Sequence, residues 1–443
     1  MSRALLFHAL VAILLPLSNL ASAANQPDLP RQLTVSEALT IALNNSSILR
    51  TAQSQLEQAT GRYEQARSTL LPQVGFTAYQ AYLTMDLRGL GIDIPGVSEG
   101  KQGPFASMDA RLRLTQDLLN IANREAWKSS RSRQESSRLQ VENARETVVL
   151  NVLGAYLLAL RAKASRDAVT EQTKLATDLL RLTEDRVREG VSAPLEANRA
   201  QQQVNALQQQ QQEAEQDYIE AKLALANTLQ AKITADFDVE DNAAYGADLT
   251  QDRDSAIQSA LASRPDYRAG QANVKAAELQ VQSVKAYRIP TVSAGFSDGQ
   301  SGETPVSNQN TYRLQGSIEV PIFTGGRIRG QINEAEGALR EAQSSLDQLH
   351  SQIEAEVLSA IAGVEWAAKQ VATSAGNVQL SRQEVELSRQ RFTRGVTDNT
   401  EVVNAQDRVS RADDARVRAM YMLGLARANL ARATGVAEKT YRK

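Results

Sequence analysis

The chain has 443 residues, enough for about two or three domains, and carries 49 basic against 51 acidic residues for a formal net charge of −2. This balance excludes both a basic field for nucleic acid and a strongly acidic tail. The sequence contains no cysteine, which excludes disulfides and thiolate metal sites. Aromatic residues make up only 5% of the chain, a composition typical of extended helices rather than of an aromatic-rich globular core.

The first 23 residues have the pattern of a secretory signal peptide. Arg3 supplies the positive charge, residues 5–17 form the apolar stretch, and Ala21-Ser22-Ala23 is a small-residue cleavage site. The alternative is a membrane anchor helix, for which the apolar stretch is short. No later stretch looks like the roughly 20 apolar residues of a membrane helix. We therefore expect any later membrane crossing to be made by a β-barrel.

The next segment changes from a helical to a strand period. Apolar residues at helical spacing predict a helix over 36–71, which Pro72 ends. Alternating apolar residues predict a strand from Gln73 and a second strand around 108–115. The Gly-rich stretch between them predicts a long loop at 88–104.

Two long helices are predicted after the strands. A segment without proline predicts a helix over about 121–189, which would be about 100 Å long at 1.5 Å per residue. Such a helix cannot bury itself in a compact core and must pack along other long helices. A second helix, over about 194–229, carries a weak heptad seam of apolar, Ala and Gln residues.

The second half repeats this order. The predicted elements are a helix over 252–289, a strand from Pro290, a loop at 297–310, a strand over 312–322, a long helix over 328–394 and a last helix ending near Ala433. We interpret the mature chain as a tandem duplication. The first repeat covers 24–250 with a strand pair at 73–120, and the second covers 251–443 with a strand pair at 290–324.

The strand pairs predict a transmembrane β-barrel. Each strand has about 10 residues with one apolar and one polar face, as barrel strands do. The alternative is a hairpin packed on a soluble core, but the predicted helices are too long to wrap around a small sheet. Four strands cannot close a barrel, since even small barrels need about eight. We expect three copies of the chain to supply twelve strands.

The chain resembles outer membrane efflux proteins of the TolC family over essentially the whole mature sequence. The resemblance is carried by the duplicated layout, the corners at Pro72 and Pro290, the strand ending VPIFTGGRIRGQI at 320–332, and two R-x-x-x-G-V turns. It implies a mostly α-helical homotrimer with a twelve-stranded β-barrel in the outer membrane of a Gram-negative bacterium, four strands per protomer. A long α-helical barrel would continue into the periplasm, with segment 231–250 in a belt around it.

The two R-x-x-x-G-V turns read RVREGVSAPLEANRAQ at 186–201 and RFTRGVTDNTEVVNAQ at 391–406. Gly190 and Gly395 allow the left-handed conformation that ends a helix and reverses the chain. Because the strands begin the long helices, both turns are expected about 100 Å from the membrane. We name them the first tip and the second tip.

In the family that the chain resembles, the tips form the gate and the docking site for a periplasmic adaptor protein. The resemblance implies a constriction at Glu401 and Asn404, with Glu196 as the equivalent of Glu401 in the first half. Three carboxylates around a narrow axis would repel anions and bind cations. The residues expected to contact the adaptor are Arg186, Gly190, Val191, Arg391, Gly395 and Val396.

The resemblance implies an exit duct of a tripartite efflux or type I secretion system. Such a duct passively conducts substrates to the exterior from a periplasmic adaptor and an inner-membrane RND or ABC transporter. The alternatives are a trimeric coiled-coil surface or structural protein, which would not need the duplication, and a periplasmic adaptor, which lacks amphipathic strand pairs. We find no nucleophile–base pair, phosphate loop or metal-spaced cluster, and we expect no enzymatic activity, cofactor, metal or nucleic-acid partner.

Overall fold

A computed structural model describes residues 27–86, 101–240, 252–304 and 306–442. The predicted signal peptide at 1–23 lies outside the described residues. The elements, in chain order, are β1 (Gln32–Leu33), α1 (Val35–Asn45), α2 (Ser47–Ser68), β2 (Gln73–Asp86), β3 (Lys101–Leu119), α3 (Ile121–Arg188), α4 (Pro194–Thr228), β4 (Asp238–Val239), α5 (Arg253–Ser263), α6 (Pro265–Lys285), a 3₁₀ turn (Ala286–Arg288), β5 (Thr291–Gly302), β6 (Asn308–Glu319), α7 (Arg327–Thr393), α8 (Asn399–Ala433) and α9 (Ala437–Tyr441).

The two very long helices are confirmed. Helix α3 has 68 residues and α7 has 67, so each is about 100 Å long. Helix α3 packs against α2, α4, α6 and α8, and α7 packs against α6 and α8. These helices bury their apolar stripes against one another along their length, as the sequence predicts.

The predictions of single helices over 36–71 and over 252–289 are wrong in one respect, because each of these segments forms two helices. In the first, Ser46 is non-helical, and its hydroxyl accepts a backbone N–H of the following turn. In the second, Pro265 starts a new helix at its first position, and Arg264 before it is extended. Both breaks are local effects of a capping serine and a proline that the helical period alone did not reveal.

The four long strands form one antiparallel sheet in the order β2-β3-β5-β6, so the two strand pairs are joined by the contact between β3 and β5. One register row places apolar side chains on one face of all four strands: Val74, Leu114, Phe296 and Leu314. The neighbouring row, on the opposite face, is Gly75, Arg113, Ser297 and Arg313. The predicted alternation of apolar and polar faces is therefore confirmed, with strands of 12 to 19 residues. Asp298 and Gln300 of β5 lie on the apolar face although both are polar.

The predicted loops are shorter than the sequence suggests. Strand β3 already begins at Lys101, inside the predicted loop at 88–104, and residues 87–100 lie outside the described residues. Strands β5 and β6 likewise extend into the predicted loop at 297–310. A Cβ at Gly299 would lie 2.3 Å from the carbonyl oxygen of Ala110 on β3. Glycine in this stretch therefore serves close strand pairing rather than a turn.

The expectation that no later stretch could cross a membrane as a helix is wrong. One window of 18 residues within α3 is long and apolar enough to do so, by length and composition only. Part of that window, 44%, is buried inside the protein. The buried part of that apolar run packs inside the protein, as in the core helix of a protein that does not cross a membrane as a helix.

The largest core cluster lies at mid-length of α3, where β1 and β4 pair in parallel. Leu33 of β1, Tyr156 of α3 and Tyr218 of α4 are each at most 1% exposed. The Tyr156 hydroxyl lies 2.6 Å from the Leu33 carbonyl oxygen and accepts the Glu240 N–H at 3.1 Å. Residues 231–240 of the predicted belt segment pass along this cluster, and residues 241–250 lie outside the described residues. The repeat boundaries, 24–250 and 251–443, stay predictions.

Candidate gate and docking site at the helical tips

The first tip is a Schellman cap at the end of α3. Gly190 has a φ of +75°, and its N–H donates to the Val187 carbonyl at 3.0 Å. The Val191 N–H donates to the Arg186 carbonyl at 2.9 Å. These two bonds satisfy carbonyls that a helix end would otherwise leave unpaired.

The second tip repeats the same cap at the end of α7. Gly395 has a φ of +72°, and its N–H donates to the Phe392 carbonyl at 2.9 Å, while the Val396 N–H donates to the Arg391 carbonyl at 3.0 Å. The glycine shared by the two turns is thus explained by backbone geometry, because it supplies the positive φ. The arginine and the valine of the pattern take part in the cap only through their backbone carbonyl and N–H.

The two arginines of this pattern have different side-chain partners. The Arg186 guanidinium reaches across to the second tip, where Nη1 donates to the carbonyls of Phe392 and Thr393 at 3.0 and 3.2 Å. It also lies over the Phe392 ring, 4.7 Å from the centroid. A cation at these carbonyls complements the negative end of α7, so the first tip completes the cap of the second.

Arg391 remains within its own hairpin. Its Nη1 lies 3.3 Å from the Glu401 carboxylate, which also accepts the hydroxyl of Thr397. Glu401 lies in the first turn of α8, where its charge complements the helix dipole. The predicted gate carboxylate is therefore partly neutralised by a basic residue of the same protomer. Asn404, one turn further along α8, is exposed.

Asn399 joins the start of α8 to the start of α4. It is 1% exposed, and its Nδ2 donates to the backbone carbonyl of Glu196 at 3.3 Å. Glu196, the predicted counterpart of Glu401, has a buried carboxylate oxygen, Oε2, with no hydrogen-bond partner in the part of the chain that the structure describes. Glu196 and Glu401 thus lie in different surroundings despite their equivalent positions in the two tips.

Two more polar contacts join α4 to α8 beyond the tips. Arg199 donates to the Thr400 hydroxyl at 3.1 Å, and Gln203 donates to Asp407 at 2.9 Å. Phe392, Asn399 and these pairs were not predicted as site residues. The sequence could have indicated Phe392, because it is a large apolar residue among polar residues in the last turn of α7. The polar pairs carried no such signal, because each joins residues about two hundred positions apart in the sequence.

The outermost residues of the tips are exposed. Val191 is 61% and Val396 66% exposed, and both tip glycines are exposed beside them. The structure therefore brings together the predicted residues Gly190, Val191, Gly395 and Val396 at one end of the helices. No cluster of His, Asp and Glu able to hold a metal ion occurs among the described residues.

The comparisons with known proteins agree with this architecture. The family model "Outer membrane efflux protein" matches residues 38–230 and 256–436. The chain belongs to this family. It is a TolC-family outer membrane factor, located in the outer membrane of a Gram-negative bacterium and extending into the periplasm.

One similar curated relative is the pyoverdine export outer membrane protein OpmQ of Pseudomonas putida, 29% identical over 313 residues. The match covers 68% of this chain and 64% of that relative, slightly under two thirds of its length. Similar solved structures include VceC of Vibrio cholerae, with a TM-score of 0.76, 19% identity and coverage of 90% of this chain and 96% of that one. The open state of the Neisseria gonorrhoeae MtrE channel has a TM-score of 0.76 at 18% identity, covering 95% and 96%.

These likenesses confirm the fold class: mostly α-helical with a β-barrel, in the trimeric TolC-like channel fold. To this fold the chain supplies four strands, β2, β3, β5 and β6. The matching family model describes outer membrane efflux proteins, and this chain is a member of that family.

Proposed function

We propose that the chain is the exit duct of a tripartite efflux or type I secretion system, gated at its periplasmic tips. Substrates pass passively through the lumen, and an inner-membrane RND or ABC transporter supplies the energy through a periplasmic adaptor. We name the four-stranded sheet β2-β3-β5-β6 the membrane sheet. The observation that carries this proposal is that the membrane sheet and the two tips lie at opposite ends of helices about 100 Å long. A duct across the periplasm needs this separation.

The gate is proposed at the start of α8. Glu401 and Asn404 lie on the turn after the second tip, and Glu196 lies at the equivalent place on α4. The Arg391–Glu401 ion pair holds α8 against α7, and the Arg186 contacts hold the second tip against the first. Opening requires these contacts to separate, and an adaptor favours the open state only if it binds that state better.

The gate is tested by the conductance of purified trimers in planar lipid bilayers. Glu401→Ala is expected to raise the conductance and to lower the preference for cations, since it removes both the ion pair and a carboxylate near the axis. Asp413→Ala is the matched control, because Asp413 also joins α8 to α7, through Arg382 at 3.2 Å, but lies about three turns of α8 beyond Glu401. Unchanged conductance and selectivity in Glu401→Ala would reject the gate, whereas wild-type trimers that conduct no ions would reject the duct itself.

The adaptor contact is proposed at the exposed ends of both tips: Arg186, Gly190, Val191, Arg391, Gly395 and Val396. Two exposed valines beside a left-handed turn offer a small apolar surface, suited to a protein partner. The Arg186 side chain is already committed to the second tip, so its contribution to docking is to hold that surface in place. A photo-crosslinking residue at 191 or 396 is expected to capture the adaptor in cells, whereas one at Leu380, equally exposed on α7, is not.

A further inference from the structure

The polar face of the membrane sheet carries three arginines. Arg111 and Arg113 lie on β3 and Arg313 lies on β6. Arg113 and Arg313 belong to one register row, separated by Ser297 of β5, which places their strands about 10 Å apart. Arg111 is two residues from Arg113 and therefore on the same face, about 7 Å along the strand. We name these three residues the sheet arginines.

This polar face lines an open cavity of about 670 Å³, bordered by Gln73, Gln315, Ser297 and the sheet arginines. The opposite face carries the apolar row that includes Phe296 and Leu314. In an outer membrane barrel the apolar face contacts lipid and the polar face lines the lumen. The sheet arginines therefore face the lumen of the barrel.

Among the described residues, the acidic side chains of the same face form an ion pair with one of these arginines and with neither of the other two. Asp109 forms an ion pair with Arg111. In the ranges that the structure describes, Arg113 and Arg313 form no ion pair with any residue, and both are exposed.

Two other acids of this face lie towards the helical end of the sheet. Asp117 accepts the side-chain amides of Asn120 and Asn123 and is four residues from Arg113 along β3, about 13 Å away. Glu319 ends β6, about 20 Å from Arg313. The excess positive charge is therefore local to the row of Arg113 and Arg313.

We propose that Arg113 and Arg313, repeated in three protomers, form a basic ring in the barrel lumen that favours anionic solutes at the membrane end of the duct, opposite in sign to the proposed acidic gate at the tips. This inference rests on the proposed duct and adds the charge class of its cargo, namely molecules that carry carboxylate or phosphate groups. Rings of charged side chains set the selectivity of pores, and arginine binds carboxylate and phosphate in planar, two-bond geometry. Asp109 holds Arg111 beside the ring, which limits the free charge to two arginines per protomer.

The test is the reversal potential of purified trimers in planar bilayers under a KCl gradient. In the double variant Arg113→Gln with Arg313→Gln, the ratio of Cl⁻ to K⁺ permeability is expected to fall by at least about threefold at low salt. The effect is expected to shrink at 1 M salt, where the screening length is only about 3 Å. The double variant with lysine at both positions keeps the charge and is expected to keep the wild-type ratio.

A second readout uses citrate added to the extracellular side as the anionic probe. Citrate is expected to reduce the wild-type current and to lose this effect in the double glutamine variant. Equal permeability ratios and equal citrate block in the wild type and the glutamine variant would overturn the basic ring while leaving the duct intact. If the double variant fails to assemble as a heat-modifiable trimer on gels, the single variants Arg113→Gln and Arg313→Gln decide, each with a partial shift expected. Wild-type trimers without conductance would instead reject the proposed function.

Discussion

Arg186 at the end of α3 caps the end of α7, because its Nη1 lies 3.0 Å from the carbonyl oxygen of Phe392 and its guanidinium lies over the ring of the same residue. Phe392 is 1% exposed, so this contact lies inside the tip and not on its surface. One side chain thus joins the two hairpin ends of the duplicated chain. The contact combines charge–dipole and cation–π attraction.

Arg186→Gln is expected to loosen the second tip and to raise the time-averaged conductance of trimers in planar bilayers several-fold. The contact is worth about 1–2 kcal/mol if it behaves like a partly buried cation at a helix C-terminus, which corresponds to roughly five- to thirtyfold in an opening equilibrium. Arg188→Gln is the control, because Arg188 is two residues away, highly exposed and paired with Asp185 of its own helix. Equal conductance in both variants would show that the contact does not restrain opening.

Gly190→Ala and Gly435→Ala are expected to differ in stability although both glycines have a φ between +71° and +75°. A Cβ at 190 meets nothing within 4 Å, so the cost is the left-handed strain of about 1–2 kcal/mol. A Cβ at 435 would lie 3.0 Å from the Arg264 Cα, which adds a backbone clash. Guanidinium denaturation midpoints followed by far-UV circular dichroism should rank the wild type above Gly190→Ala and Gly190→Ala above Gly435→Ala. The reverse order of the two variants would contradict this account.

Arg264→Met is expected to destabilise the protein by about 3 kcal/mol, because it removes the cation paired with Glu356 and leaves Asp266 only the more distant Arg432, at 4.0 Å. The guanidinium is 3% exposed and contacts Asp266 and Glu356, each at 2.6 Å. Burial alone would raise the pKa of Asp266, but the hydrogen bonds and charge of Arg264 outweigh it and hold that pKa below 3.8. Arg264→Lys should recover less than half of the loss, since an ammonium cannot bond both carboxylates in planar geometry. Full recovery by lysine would show that charge alone suffices.

The ion pair between Arg145 of α3 and Glu438 of α9 predicts a dependence of stability on pH. Hydrogen bonding from Arg145 is the main cause that holds the pKa of Glu438 below 4.5, against the opposing effect of burial. Because the folded pKa is the lower one, this contribution is present above pH 4.5 and is lost as the pH falls through the folded pKa. Glu438→Gln should therefore lower the denaturation midpoint near neutral pH and flatten its decline below pH 4.5. Parallel pH profiles of the variant and the wild type would disprove the link.

The long helices were predictable because their signals are local. The absence of proline from α3 and the glycine at each tip mark where these helices run and end, and the observed bounds differ from the predicted ones by at most one residue. The breaks at Ser46 and Pro265 were missed, since a helical apolar period continues across a capping residue. The strand ends near Gly302 were missed because glycine and serine predict a loop unless a neighbouring strand approaches closely.

The candidate site was predictable only in part. The sequence located both tips and the acids after them, but the side-chain partners of Arg186 and Arg391 differ although the residues occupy equivalent positions. Arg186 bonds a carbonyl 206 residues away, and Arg391 bonds a carboxylate of its own hairpin. Periodicity and spacing say nothing about such pairs.

The sequence by itself determined the local conformations: two very long helices, strands with one apolar and one polar face, and two glycine caps of the same kind. These follow from hydrogen bonding and side-chain period within a few residues. Only the tertiary structure decided that β3 pairs with β5, that Arg186 caps α7, and that Arg113 and Arg313 lie in one row without an acidic partner. These relationships join residues about two hundred positions apart, and packing of the long helices and strands is what places them in one sheet or at one tip.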